Sequence, residues 1–396
     1  MKKVLDQLLH YFEPLPPIPS GIYTTQNIPI LPNIQKVFLR VESDGTGVLI
    51  LNASIVLHLN PVAVDMAYGI IQGLGEQETI GNIVRKYRVS KGTAEKDLKE
   101  FLQKLVTLTQ RSDLDPEEFI EIERKIPYQT THLSAPYRID CALTYRLPQS
   151  TMTGLTPENR VKQELTTSQW KEMIQKSWQA GIPHVIFTGG EPTLREDLAE
   201  LIAFTENIGQ VCGIITDGLK LSDESYLNQL LQSGLDHVLI TLDVDQEQSW
   251  NAIYKVASKD IFTVVHLTLS GDYQNQISEI VQRLLAAQIN AISLSITDPL
   301  YGELLSTARD LCTTNGLKLV WDLPVPYSKF NPIAMDMVNE QIVDGAGRAW
   351  VYVEPDGDVL PAQGINVVLG NLLEDDWEKI WQKCQTYVHQ ATTTPN

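Results

Sequence analysis

Phe187-Thr188-Gly189-Gly190-Glu191-Pro192-Thr193-Leu194 is the stretch that decides how most of this 396-residue chain is read. It follows a short apolar run, His184–Phe187, that has the character of a strand. Two glycines let a backbone approach a ligand closely or take a positive φ. Glu191 then presents a carboxylate that can accept hydrogen bonds from an ammonium group, and Pro192 stiffens the exit. An ordinary tight turn with a solvated glutamate uses the same residues, so the loop gains meaning only from what surrounds it.

Around it runs a strand–helix alternation. Strands are predicted at Arg138–Thr144, His184–Phe187, Val211–Ile215, His237–Leu242, Phe262–Leu269, Ala291–Leu294 and Lys318–Trp321, separated by stretches of helical period. The first of these helices opens with Thr166 and Gln169 in capping-box spacing. Repeated βα units imply a parallel sheet. Six or seven of them predict a TIM-like barrel, complete or partial, with its site at the C-terminal ends of the strands. The stretch between Asp243 and Phe262 is short, which predicts a reduced wall there.

Outside the barrel the rhythm differs. Val37, Leu39 and Val41 alternate with Lys36, Phe38 and Arg40, and a Glu42-Ser43-Asp44-Gly45 turn leads to Val48-Leu49-Ile50-Leu51, a hairpin. A strand at Ile55-Val56-Leu57 meets Asn60-Pro61, a helix cap followed by the residue favoured at the first helical position. Two further helices are predicted from Thr79 and from near Thr93, so 1–110 reads as a winged-helix-like α+β domain. Polar residues 111–135 read as a linker. Residues 326–396 read as a hairpin-plus-helix extension: Trp350–Glu354 and Asp358–Leu360 flank Pro355-Asp356-Gly357, and a last helix lies around Asp375–Gln382.

Bulk properties narrow the function classes. The net charge is −18, yet residues 1–110 carry eleven Lys/Arg against ten Asp/Glu, so the acidity lies beyond them. Such a chain is a poor general binder of nucleic acid. No apolar run reaches the ~18 residues of a membrane span. The N-terminus meets Asp6, Gln7 and His10 instead of an apolar signal segment, and Cys141, Cys212, Cys312 and Cys384 are scattered without metal or redox spacing. A cytoplasmic protein is expected.

The order of motifs resembles the radical S-adenosylmethionine (SAM) superfamily over roughly 140–320, which implies an α/β fold with a partial (β/α)6 TIM-like barrel over 136–325. The resemblance rests on Leu165-Thr166-Thr167, the Gly189-Gly190-Glu191-Pro192 loop, Arg195-Glu196-Asp197-Leu198, Ile215-Thr216-Asp217-Gly218, Gly234-Leu235-Asp236 and Ile240-Thr241-Leu242-Asp243. It implies SAM as ligand, with Gly189, Gly190, Glu191 and Pro192 at its amino group and Thr216, Thr241 and Asp243 toward its ribose or a substrate. Residues 34–108, with Leu59-Asn60-Pro61 and the Asp97-Leu98…Phe101-Leu102 helix, look like the peptide-recognition domain of the PQQ-biosynthesis D protein, which implies a precursor or leader peptide as partner. Val353 to Pro361 and Leu369-Gly370-Asn371-Leu372 through Trp381 resemble the auxiliary-cluster (SPASM-type) region of the peptide-modifying branch.

One part of that pattern is missing. The three cysteine positions that hold a [4Fe–4S] cluster in the family fall here on Leu147, Thr151 and Gly154, none of which can ligate iron. Pro361-Ala362 and Tyr327-Ser328 likewise replace cysteines of the auxiliary region. The cluster is therefore expected to be absent, and with it the electron that cleaves SAM homolytically. No catalytic residue and no metal site are predicted; His266 is the one histidine, beside His132, His184 and His237, that could face the cavity.

Three readings stay open. A cluster-less pseudoenzyme could serve as a leader-peptide-binding scaffold or regulator beside an active radical SAM enzyme. An enzyme or sensor could still bind SAM through the glycine loop. A transcription factor could use the small basic cluster Arg85, Lys86, Arg88 and Lys91, although solvated charges at a helix C-terminus have the same appearance.

Overall fold

The computed structural model describes residues 15–26, 28–29, 34, 36–51, 55–110, 133–148, 154–321, 323–336 and 345–393. The expected linker lies almost wholly outside them. The chain forms two compact units, Met1–Ser134 and Ala135–Asn396.

In the first unit, β1 (Gly21–Gln26), β2 (Lys36–Val41), β3 (Gly47–Leu51) and β4 (Ile55–Leu59) form an antiparallel sheet in sequence order, followed by α1 (Pro61–Ile71), α2 (Glu76–Tyr87) and α3 (Lys91–Gln110). The hairpin register, Val37 opposite Leu51 through Val41 opposite Gly47, closes on a turn in which Asp44 accepts the Thr46 N–H at 2.9 Å. Asn60 caps α1 by accepting the Ala63 N–H at 2.9 Å. Burial departs from the simple alternation: Phe38 and Arg40 are buried as well, and Arg40 is tolerated there because Glu42, also buried, takes its Nε–H at 2.8 Å. β1 was not foreseen, and α2 and α3 begin earlier than expected, at Glu76 and Lys91.

In the second unit, β5 (Arg138–Thr144), β6 (His184–Gly189), β7 (Val211–Thr216), β8 (His237–Thr241), β9 (Phe262–Leu269), β10 (Ala291–Ile296) and β11 (Lys318–Leu319) lie parallel in sequence order. Between them come α4 (Thr167–Gln179), α5 (Leu198–Ile208), α6 (Glu224–Gln232), α7 (Glu247–Ala257), α8 (Ile277–Ala286) and α9 (Gly302–Thr314). The capping box is formed: the Thr166 side chain accepts the Gln169 N–H while Gln169 Oε1 accepts the Thr166 N–H at 2.9 Å. Ile186, Ile215, Leu239 and Val264, with the small Ala291, form an apolar layer on the sheet.

Two expectations change. The C-terminal hairpin is no appendage: β12 (Trp350–Val353) pairs parallel with β5, Trp350 opposite Arg138, and carries β13 (Asp358–Leu360) and β14 (Gly370–Asn371). The sheet thus continues past residue 325, because β5 as an end strand would leave a row of unpaired backbone groups. The wall after Asp243 is also not reduced, since α7 fits its span and buries Trp250, Ile253 and Val256. The last helix, α10 (Trp377–Thr393), stacks Trp377 on Trp381 with ring centroids 5.8 Å apart. Among the described residues no helix is long and apolar enough to cross a membrane.

Candidate functional site

The glycine loop is sewn to the end of β5. Gly190 N–H donates to Thr144 O at 2.7 Å and Glu191 N–H to Arg146 O at 2.9 Å. Gly189 has φ +127°, and a Cβ on it would stand 2.3 Å from Thr144 O; one on Gly190 would stand 2.4 Å from Arg146 O. Backbone packing alone therefore demands both glycines, whatever else binds near them.

Glu191 is not the solvated carboxylate that a plain turn would give. It is buried, and Pro192 leads it into a short 3-10 turn, Pro192–Leu194. Its Oε1 accepts the Thr193 N–H at 2.9 Å and the Thr216 hydroxyl at 2.8 Å; its Oε2 accepts the Asp217 N–H at 2.8 Å. A carboxylate accepts about four hydrogen bonds, so capacity for one more donor remains. Burial, and then the Asp217 carboxylate alongside, push the Glu191 carboxyl up to about 8. Burial raises Asp217 too. Two neighbouring acids with no cation between them favour holding a proton.

These groups line one end of a cavity of about 300 Å³ with Thr241, Asp243 and Gln246. Leu147, Pro148, Leu155, Pro326 and Phe330 supply apolar wall in the same cavity. Of the expected ligand positions, Leu147 is part of that wall, Gly154 contributes no side chain, and Thr151 lies outside the described residues. Neither Leu147 nor Gly154 offers a thiolate or imidazole, so the two do not fit an iron–sulfur cluster. Cys141 is buried within β5, where burial and Asp140 push its thiol well up; Cys212, Cys312 and Cys384 are buried too, and none of the four is in a disulfide.

Not every expected contact faces this cavity. The Thr216 hydroxyl is committed to Glu191 and to the Gly218 N–H, 3.0 Å away, so it orients the glutamate instead of reaching a ribose. Thr241 lines the cavity and donates to Thr216 O at 3.3 Å. Asp243 Oδ2 is taken by Lys329 Nζ at 2.5 Å, whereas its Oδ1 is buried without a partner.

Lys329 went unnoticed in the sequence. It sits on a strap, 323–331, that returns over the strand ends: Tyr327 N–H donates to Gly189 O at 2.9 Å and Thr188 donates to Pro324 O at 2.9 Å. Ser328, which stands where a cysteine was expected, accepts the Phe330 and Asn331 N–H groups at 3.2 Å each and so shapes this strap. A lone lysine after Pro326-Tyr327 carries no sequence signal of its own, and neither does Gln246; Asp217 stands in the Ile215-Thr216-Asp217-Gly218 motif but was not singled out as a site residue.

The histidines separate by position. His184 and His237 meet at the strand starts with Nε2 atoms 3.2 Å apart, away from the cavity. His266 is buried between hydroxyls, and His132 lies outside the described residues. Among the described residues the grouping of carboxylates that could hold a metal is Glu354, Asp356 and Asp358, in the C-terminal hairpin. Arg160 already neutralises Glu354 at 2.8 Å there. Of the basic cluster, Lys86 is held by Asp65 at 2.7 Å and Lys91 pairs with Glu95 at 3.6 Å. That leaves a balanced helix end.

Residues 141–311 match the profile of the Radical SAM superfamily. The fold as a whole is similar to that of SuiB from Streptococcus suis. Against SuiB bound to the precursor peptide SuiA, the TM-score is 0.56 at 14% identity, covering 87% of each chain. Against SuiB bound to S-adenosylmethionine it is 0.58 at 16% identity, covering 87% of this chain and 86% of that one. At such identities the shared property is the fold.

Proposed function

We propose that this chain is a cluster-less radical-SAM-like pseudoenzyme, a cytoplasmic leader-peptide-binding scaffold or regulator in a peptide-modification pathway. The observation that carries the proposal is the split character of one cavity. Its acceptors are built, with Glu191 and the unpartnered Asp243 Oδ1, while the wall at the expected ligand position is apolar, with Leu147, Pro148 and Leu155. The acceptor end fits an ammonium-bearing ligand such as SAM, held by Glu191, Asp243 and Thr241. SAM supplies radical chemistry only beside a reducing cluster, and no step is assigned to it here.

The first unit supplies the peptide-binding half of this reading. As in the PQQ-biosynthesis D protein, β4 is an end strand, so its outer edge can accept a leader peptide as a further strand. SuiB, with a similar fold, is known bound to its precursor peptide. An active radical SAM enzyme would then modify the peptide that this chain delivers.

Calorimetry against precursor peptides encoded nearby tests the scaffold. Binding that survives Glu191→Ala but disappears when β4 is blocked, for example by Val56→Pro, supports it; no binding to any of them overturns it. Iron and sulfide content after anaerobic reconstitution tests the other half, and close to four irons per chain would end the pseudoenzyme reading. A second reading, a SAM-binding enzyme or sensor, draws on the same unpartnered Asp243 oxygen; SAM binding without peptide binding would favour it.

A further inference from the structure

The barrel sheet does not close. β11 pairs with β10 over two residues only, and across the gap stand β5 and β12. This seam encloses a second cavity of about 370 Å³, to which β5, β10, β12 and the strap all contribute. The strap serves both cavities with different residues: Leu323–Val325 and Asn331 face the seam, whereas Pro326–Phe330 line the cavity at Glu191.

The chemistry of the seam differs from that of the acidic cavity. Arg138 forms an ion pair with Asp140 at 2.7 Å, and the Asp336 carboxylate accepts the neutral Tyr327 hydroxyl at 2.7 Å. Its walls include two indoles, the buried Trp350 and Trp321, which is 49% exposed at the rim. Its polar lining sits on β9 and β10, above the aliphatic layer, where a barrel interior is ordinarily filled by branched side chains. There the His266 ring meets Ser293 at 3.0 Å through Nδ1, and both Thr268 (3.1 Å) and Ser295 (3.0 Å) through Nε2. Burial keeps this imidazole neutral. The Ser295 hydroxyl also donates to Thr268 Oγ1 at 3.1 Å, so ring and hydroxyls form one network whose hydroxyl oxygens keep acceptor capacity. Gln363 adds a directional demand. Its amide N–H donates to Val325 O at 2.8 Å, which fixes the amide and leaves Oε1 buried without a partner.

We propose that the seam cavity binds one uncharged aromatic side chain carrying an N–H or O–H, presented by a peptide. The proposal rests on the peptide-scaffold reading and names the part of the peptide that this unit grips. The indoles provide the apolar walls, Gln363 Oε1 accepts the guest's proton, and the hydroxyls around His266 are the alternative partner. A charged side chain would lose its hydration in a cavity where Arg138 and Asp140 are already paired and Asp336 already accepts a hydroxyl, and an aliphatic one would leave Gln363 Oε1 unsatisfied, at the full cost of burying an unpaired acceptor.

Saturation-transfer NMR on the full chain tests this with N-acetyl amides of tyrosine, tryptophan, phenylalanine, leucine and lysine. The tyrosine and tryptophan amides are expected to bind, with phenylalanine about tenfold weaker, the factor expected for one unsatisfied buried acceptor. Gln363→Met should erase that preference while phenylalanine affinity holds, and Ser295→Ala, a milder change, should reduce tyrosine binding without loss of the fold. Equal binding of the leucine amide, no binding of any ring, or a tyrosine preference that survives Gln363→Met overturns the proposal. Tyrosine-amide binding together with failure of every precursor peptide would remove the scaffold reading and leave the seam site standing.

Discussion

The two loops that meet at the head of the barrel carry different kinds of information. The loop after β6 has Gly189-Gly190-Glu191-Pro192, and its packing explains why: the glycines clear the Thr144 and Arg146 carbonyls, and Glu191 ties the loop to the end of β7 through two accepted hydrogen bonds, from Thr216 and Asp217, with a third from Thr193 inside the loop. The loop after β5 reads Leu147, Thr151 and Gly154, and Leu147 packs as an ordinary apolar wall. A residue needed for the fold persists whatever the chemistry, whereas a metal ligand persists only with its metal. The intact Gly-Gly-Glu-Pro string is thus weaker testimony to ligand binding than its spelling suggests, and the stronger testimony is the unpartnered acceptor on Asp243.

Substitution separates the two loops most sharply at Gly190. Gly190→Ala places a methyl 2.4 Å from a backbone oxygen, so unfolding in denaturant should show a loss of about 4 kcal/mol or no folded protein at all. Leu147→Ala, half-buried at the neighbouring loop, should cost about 1 kcal/mol. Similar losses at both positions would break the contrast.

Glu191→Ala comes next. It strands the Thr216 hydroxyl and the Thr193 and Asp217 N–H groups, and should cost about 2–3 kcal/mol in the absence of any ligand. Stability unchanged by this substitution would mean that Glu191 is there for a ligand alone.

The pH dependence of the same residue sharpens the point. Its folded pKa is raised, to about 8, so it contributes stability at low pH that is lost as pH rises through that value. Glu191→Gln mimics the protonated acid. The wild type should therefore lose ground to this variant in thermal melts as pH rises from 4.5 to about 8 and then level off, and parallel profiles would show an ordinary, solvated carboxylate. A cationic ligand would reverse the shift, and its binding at neutral pH should release a proton, visible as a dependence of the calorimetric heat on the buffer.

The smallest effect belongs to Lys329. Its ammonium is half-exposed, so breaking the pair with Asp243 should change stability by only about 0.5 kcal/mol. Lys329→Met should instead strengthen binding of a cationic ligand at the freed Asp243 carboxylate, measured against the wild type by calorimetry with SAM.

The barrel rhythm, the hairpin register and the Thr166–Gln169 capping box were legible in the sequence because each depends on residues a few positions apart. β1 was missed because Gly21-Ile22-Tyr23-Thr24-Thr25-Gln26 carries little apolar alternation and is held by pairing with β2. The docking of β12 on β5 was missed for a related reason: an unpaired strand edge exerts its demand through space, and the partner that answers it lies at the far end of the unit.

The sequence by itself determined which donor atoms exist: glycines where the β6 loop must pass close to β5, a carboxylate after them, and no sulfur at 147, 151 or 154. The tertiary structure alone decided what those atoms do. Burial and the neighbours brought by β7 turned Glu191 from a solvated acid into a proton-holding tie, and the strap set Lys329 on Asp243. It also gathered His266, Ser293, Ser295 and Gln363 around the open seam. Covalent identity is fixed residue by residue, whereas dielectric, hydrogen-bond partners and charge state belong to an environment that exists only once distant strands have met.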